Sequence, residues 1–546
     1  MSLTTSPLLG QITGGSLAEG LQMRLAEGRT VEELRTGRFV VAHGRAYRYF
    51  CMITDVSLRC ANPQALAQPP GPDDELLRQV LEGTATYAEA QLRPMLMLPA
   101  AGADTPGAPL EPVKTVPPHF SVVAEAGRED VARVFGSEEQ AGWYEIGHPL
   151  DMEETPVCLH LDRLAERSTG IFGKSGTGKT FLTRLVLAGM MRQRSALNLV
   201  FDMHSEYGWS GRQEGARSTT RGLKQYFQDE VRVFTLDMAS AERRGVPIEQ
   251  EIRIAFSDLE IEDILLQRDE LNLSDAAEET CSLLEQHFGR DWISSLLNMS
   301  RGDLEEFAQA SGAHIGAISA LKRKLQRMAH QCRHFLVEQV EPQHDALTGI
   351  LGALSAGKHV VVEFGPHNTP LQYMLVANVL TRRIHHAYVR RTEEALGDPS
   401  KEPKPLVITI EEAHKFLAPG LSRQTIFGTI ARELRKYRVT LLVVDQRPSG
   451  IDDEVLSQLG TKLVCLLDDD KDIEAVLSGV SNRNGLRGVL AGLETRQQAL
   501  ILGHAVPMPV VVRTRTYDDE AFRRAMQWEE SSERAARAEE NLDDHF

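Results

Sequence analysis

No stretch of this chain is apolar for long enough to cross a bilayer, and its opening residues, MSLTTSPLLGQITGGS, lack the basic flank and hydrophobic run of a secretory signal. Together these absences set the expectation of a cytoplasmic protein with no membrane association. Cysteine is sparse. The six residues Cys51, Cys60, Cys158, Cys281, Cys332 and Cys465 are scattered, with no pair at the close spacing of a zinc site or redox motif, and they read as reduced core thiols. Positive charge is also short: a formal net charge of −17 argues against a surface that coats itself with nucleic acid, although a basic lining inside a pore stays open. What is there is ordinary for a folded protein, 42% hydrophobic and 25% charged, which excludes collagen-like and fully disordered classes. At 546 residues the chain is long enough for two or three domains without disulfide or metal staples.

The hydrophobic pattern changes along the chain. Short alternating runs such as RFVVAHGRAYRYFCMITDVSL, Arg38 to Leu58, suggest a small N-terminal β-barrel or sandwich within residues 1–145. QPPGP at 68–72 and the Pro-, Gly- and Ala-rich stretch at 100–118 read as exposed loops or linkers. Over 146–515 apolar runs alternate with helices, the signature of an α/β domain with a parallel sheet covered on both faces. Strands are expected at 170–172, 197–201, 231–236, 359–364, 406–410, 440–444, 463–467 and 499–502. Residues 257–337 carry helical spacing only, a helical insertion. Its last helix, Ile315 to Arg333, holds the strongest basic cluster and is a candidate DNA contact, against the blander reading of a solvated face. The tail, 516–546, is charged and Glu/Arg-rich, consistent with a frayed helix ending in disorder.

GKSGTGKT, Gly173 to Thr180, fits G-x-x-x-x-G-K-[ST], and it lies where that motif needs to lie, after an apolar strand and before the helix FLTRLVLAGMMRQ. Gly173, Gly176 and Gly178 allow the backbone N–H groups of the loop, with Ser175 and Thr177 among them, to close around phosphate oxygens. Lys179 then reaches the β and γ phosphates of ATP, and Thr180 is the expected Mg²⁺ ligand. A carboxylate is needed beside the metal, and a second group must orient the attacking water. Glu411 and Glu412 end the apolar run LVITI and divide that labour, Glu411 in the metal shell and Glu412 on the water. Asp202, with His204 and Glu206 in FDMHSEY, is expected to form a further acidic edge beside the γ-phosphate, or only to cap its strand. A zinc site from His204 and His414 would need more ligands than the sequence clearly offers. Gln446, in LLVVDQRPSG, is placed to sense the γ-phosphate. Arg432, Arg435 and Arg438 lie in IARELRKYRV, expected as a helix feeding that strand, and one of them could reach a neighbouring active site.

These motifs, with the late segment GLETRQQALILGHAVPMPVVVRTR, resemble the HerA/FtsK class of DNA-pumping ATPases from Gly170 to Arg515. The resemblance implies a RecA-like ATPase domain behind a small HAS β-barrel, a homohexameric ring, double-stranded DNA as the track, and a NurA-type nuclease partner in DNA end resection. It carries nucleotide binding and hydrolysis over to Lys179, Thr180, Glu411, Glu412 and Gln446. Arg167 falls where the family often has a basic residue acting between subunits. Met203 and Ser205 depart from the family's usual Pro and Gly, so the local turn is expected to differ. Two other functions stay open: a ring that scaffolds a nuclease or NAD-consuming effector in antiphage defence, and a protein-remodelling ring.

Overall fold

A computed structural model describes residues 7–526, apart from 68, 72, 101–108, 213–218, 342–344, 368, 424, 434–435 and 481–482. Residues 101–108 of the proline-rich 100–118 stretch, and the charged tail beyond residue 526, therefore lie outside the described residues. The chain divides into two compact units: Met1–Leu164 with Ile171–Lys179 and Gly460–Arg515, and Ala165–Gly170 with Thr180–Leu459 and Thr516–Phe546.

In the first unit six strands close into an antiparallel barrel. Around it run Gly20–Leu25, Leu8–Ser16, Val122–Glu125, Phe39–His43, Tyr47–Cys60 and Thr86–Pro99, and the last pairs with the first, Leu21 opposite Leu92. Alternate residues point inward, so Leu9, Ile12, Val40, Ala42, Cys51, Ile53, Leu92 and Val123 form one core. The closing pair covers Glu89–Leu92 of Thr86–Pro99, and farther along the two-residue strand Glu111–Pro112 pairs with Leu96 and Met97. Helices Pro63–Ala67 and Glu75–Thr84 stand in the connection between Tyr47–Cys60 and Thr86–Pro99, on either side of the 68–72 stretch expected as loop.

The same unit contains a second, antiparallel sheet segment. Thr461–Val464 pairs with Gln498–Gly503, which pairs with Val510–Thr514, then Trp143–Pro149, then Val157–His160. This corrects the expectation of an entirely parallel sheet. The runs around 463–467 and 499–502 are strands, but they run in opposite directions.

The second unit holds the parallel sheet. Its order is Gln250–Glu251, Val231–Thr235, His359–Glu363, Leu197–Asp202, Leu406–Glu411 and Val439–Asp445, every adjacent pair parallel. Four of these strands, beginning at Leu197, His359, Leu406 and Val439, are buried along their whole length, which is why they read as continuous apolar runs rather than alternating ones. The helical module is rooted where Ile254–Ala255 pairs with Leu336–Val337. It packs around Trp292, Cys281, Leu284, Leu325 and Met328. Two side chains of its basic helix, Ile315–Gln331, turn inward: Lys322 Nζ donates to Met299 O and Lys324 Nζ to Asn272 O, both at C-terminal ends of neighbouring helices. Those carbonyls lack intrahelical partners and carry the negative end of the helix dipole, so the lysines serve the module's own packing. Arg323, Arg327 and Arg333 stay exposed.

Five cysteines are buried and Cys60 is intermediate. Burial pushes the thiols of Cys51, Cys158, Cys281, Cys332 and Cys465 up to about 12, so they stay protonated.

Candidate functional site

The phosphate loop belongs to the first unit. Gly173, Gly176 and Gly178 take φ of +155°, +77° and +101°, conformations that side chains rarely adopt. A Cβ on Gly173 would come within 2.7 Å of Cys465 Cβ and 2.8 Å of Thr177 Oγ1, whereas positions 176 and 178 open onto free space. One wall of the loop is thus closed by the protein and the other is left for a ligand. The floor is the segment after Thr461–Val464: Cys465 N donates to Phe172 O at 2.8 Å and Lys174 N to Leu466 O at 3.1 Å. Thr177 is buried and its hydroxyl donates to Lys174 O at 2.7 Å. Lys179 Nζ donates to that same carbonyl at 2.9 Å, lying across the loop. Ser175 is exposed, and Lys179 and Thr180 begin the helix Lys179–Gln193. Its first amides lack partners inside the helix, the usual setting for an anion.

In the second unit, four neighbouring strands each end in a carboxylate: Glu363, Asp202, Glu411 and Asp445. The carboxyl ends of parallel strands are where ligands of open α/β sheets bind. Each of these acids is buried, and each is satisfied differently.

Asp202 is fully buried, and its oxygens accept from the amides of Glu206 at 2.7 Å, Tyr207 at 2.8 Å and Gly208 at 3.1 Å. Burial pushes its carboxyl up, against the pull of those three amides. The acidic edge expected from Asp202 is therefore turned into its own loop. Ser205 in that loop takes φ +56°, the conformation that suits the family's usual glycine. Glu206 is half-buried, and its backbone oxygen accepts from Arg184, a buried residue of the phosphate-loop helix. Glu363 pairs with Arg244 at 2.5 Å, while its Oε1 has no hydrogen-bond partner among the described residues. A Cβ on Gly208 would fall 2.6 Å from that oxygen, so a larger residue there would push the Glu363 carboxylate aside.

Glu411 Oε1 accepts from the buried Tyr207 hydroxyl at 2.8 Å, and its Oε2 is buried with no partner among the described residues. Burial pushes the Glu411 carboxyl up to about 8, opposed by the Tyr207 bond and reinforced by nearby Asp202 and Glu206. Tyr373 Oη brackets the Glu411 backbone, 3.1 Å from both its N and its O. The next residue, Glu412, sits at φ +49°. For a non-glycine residue this costs about 1–3 kcal/mol and persists only where the surroundings fix it. Its Oε1 accepts from Gln446 Nε2 at 3.0 Å, which brings together two of the expected site residues. Asp445 accepts from His414 N at 2.7 Å, His414 Nδ1 at 3.0 Å and Arg447 N at 2.7 Å, and the Nδ1 bond holds the imidazole above its ordinary range.

The arginines separate. Arg432 is anchored within its own chain, NH1 on Ser422 O at 3.0 Å, NH2 on Ser422 Oγ at 2.9 Å and Nε on Glu454 at 3.2 Å. Arg438 bonds Glu402, Arg167 is exposed, and Arg435 lies outside the described residues. Sequence reasoning missed Glu363 and Asp445, although each ends an apolar run, VVVE and LLVVD, as visibly as Glu411 does. It also missed Tyr207 and Tyr373, for which no local signal exists.

The family model described as the central domain of helicase HerA matches residues 144–384. The DNA double-strand break repair helicase HerA of Pyrococcus furiosus is 24% identical over 400 residues, covering 68% of this chain and 69% of that protein. A probable helicase of Methanocaldococcus jannaschii is 23% identical over 421 residues, 74% of this chain and 72% of the relative. Among solved structures, VirB4 of Thermoanaerobacter pseudethanolicus superposes with a TM-score of 0.44 at 14% identity, covering 69% of this chain and 98% of that one. With a complete phosphate loop and a carboxylate-lined sheet end, the chain is a P-loop ATPase, similar over residues 144–384 to the central domain of helicase HerA.

Proposed function

We propose that this ATPase is a motor that moves along double-stranded DNA as a homohexameric ring and works with a NurA-type nuclease on broken DNA ends. The observation that carries the catalytic part of this reading is Glu412, held at a strained backbone angle with its carboxylate on Gln446. Strain of this kind persists where a side chain must point one way. In this reading the amides of Gly173 to Gly178, with Ser175 and Thr177, cradle the phosphates, and Lys179 exchanges the Lys174 carbonyl for phosphate oxygens. Glu412 orients the attacking water and Gln446 reports the γ-phosphate. Thr180 and Glu411 suit Mg²⁺: Glu411 keeps one buried oxygen unpaired, a hard-cation donor with nothing else to bind among the described residues. When bound, Mg²⁺ neutralises phosphate charge as the γ-phosphoryl is transferred.

DNA as the track follows the relatives named as double-strand break repair helicases. With a net charge of −17, contact must come from a limited set of lysines and arginines, such as exposed Arg323 and Arg327. The test is ATP turnover with and without duplex DNA across a salt series. Stimulation by duplex that fades steeply with salt is expected. Turnover indifferent to DNA, with and without a nuclease partner, would favour protein remodelling instead.

A further inference from the structure

Asp445 has no part in the scheme above, yet it is 1% exposed and uses both carboxylate oxygens. Oδ1 accepts from Arg447 N at 2.7 Å, in the turn that carries Gln446. Oδ2 accepts from the backbone N of His414 at 2.7 Å and from its ring Nδ1 at 3.0 Å, in the turn that carries Glu412. One buried carboxylate thus ties together the ends of two neighbouring strands. The half-exposed His414 ring lies between Asp445 and Glu412, its Nδ1 also 3.8 Å from Glu412 Oε2. Gly450 closes the side beside the ring's Cβ: a Cβ there would come within 3.3 Å of His414 Cβ.

Glu412 is therefore fixed from several directions. Tyr373 clamps the peptide before it, Asp445 the residue two positions after it, and Gln446 one of its oxygens. Its second oxygen faces only the His414 ring among these contacts. We propose that His414, its Nδ1 spent on Asp445, is a positioning residue for ATP hydrolysis: packed 3.8 Å from the second oxygen of Glu412, beyond hydrogen-bond reach, the anchored ring limits by contact where that carboxylate can swing and so keeps it aimed at water. This rests on the reading of Glu412 as the water-orienting residue. His414 touches neither phosphate nor water in this scheme; it acts through Glu412.

The effect belongs to turnover and not to nucleotide affinity, because the phosphate loop does not include His414. His414→Ala should lower kcat about tenfold or more while leaving KM for ATP and the Kd for a fluorescent ATP analogue within about threefold. His414→Asn offers an amide donor at the distance of Nδ1 and should recover most of the rate. His414→Gln carries its donor one bond further out and should not. The full-length protein is assayed for steady-state turnover, analogue binding and thermal midpoint, with Glu412→Gln as the reference.

Selective loss of kcat in His414→Ala with recovery in His414→Asn supports the proposal. Wild-type turnover by His414→Ala beside an inactive Glu412→Gln overturns it and leaves the role of Glu412 standing. Wild-type turnover by Glu412→Gln overturns both. Parallel loss of turnover, binding and thermal midpoint, unrelieved by asparagine, makes His414 merely structural and also overturns it. Should His414→Ala fail to fold, the Asn and Gln variants decide: a tenfold advantage for Asn supports the proposal, and equal rates sink it.

Discussion

Replacing Asp202 by alanine removes the acceptor of three buried amides at once, those of Glu206, Tyr207 and Gly208. A hydrogen bond to a charged group contributes about 1.5 kcal/mol at the low end, so three lost bonds cost about 4.5 kcal/mol. Removing a fully buried carboxylate returns part of its desolvation cost, which leaves a net loss of about 3 kcal/mol. Asp202→Asn keeps one carbonyl acceptor and the side chain's shape, and should lose about half as much. Denaturant midpoints give the stability change, and hydrogen exchange across Met203 to Trp209 gives its place, with protection falling there first. Because the carboxylate is spent inside the loop, Asp202→Asn should bind an ATP analogue within about threefold of wild type. The reasoning fails if Asp202→Ala costs less than about 1 kcal/mol while nucleotide affinity or turnover falls tenfold. Asp202 would then face the γ-phosphate and not its own loop.

Three further outcomes follow from the site. Glu411 ordinarily titrates at 4.5 and is pushed up to about 8 by burial, so its contribution to stability is fully present below pH 4.5 and is lost as pH rises toward 8; in metal-free buffer Glu411→Gln should flatten the fall in stability over that window, by at most about 5 kcal/mol at ~1.4 kcal/mol per pH unit. Gly173→Ala places a Cβ 2.7 Å from Cys465 Cβ at φ +155° and should abolish nucleotide binding measured by analogue fluorescence, whereas Gly176→Ala, which meets nothing within 4 Å, should weaken it less. If an arginine of the adjacent subunit completes each site, mixing inactive Arg435→Ala protomers with inactive Glu412→Gln protomers should restore turnover; no recovery despite confirmed co-assembly would remove Arg435 and pass the test to Arg167, since Arg432 is already engaged with Ser422 and Glu454.

Much of this could be read from the sequence, for identifiable reasons. A strand buried on both faces has to be apolar along its length, so seven of the eight expected runs appear as strands, and the eighth, 463–467, is a strand only up to Val464. Their directions are another matter. Thr461–Val464 and Gln498–Gly503 are separated by two helices, Asp470–Val476 and Arg483–Ala491, as in a parallel crossover, yet they pair antiparallel. Direction is set by which strand lies alongside, and no local pattern records that. The phosphate loop was legible because its glycines serve backbone angles fixed by its chemistry. Asp202 shows the limit. Its place at a strand end is visible, but the choice between facing a ligand and facing three amides of its own loop depends on Ser205 and the turn around it. His414 and Asp445 lie 31 residues apart, and only the adjacency of their strands brings them together.

The central claim is that ATP hydrolysed at this site drives movement along duplex DNA, and displacement of a third strand from a DNA triplex measures that movement directly. Wild-type protein should displace the strand only with ATP. Glu412→Gln should bind both ATP and DNA and displace nothing, because in the proposed reading Glu412 acts on the attacking water and not on the phosphates in the ground state. Displacement by Glu412→Gln at the wild-type rate, or ATP turnover by the wild type that neither responds to duplex DNA nor displaces the strand, would contradict the account.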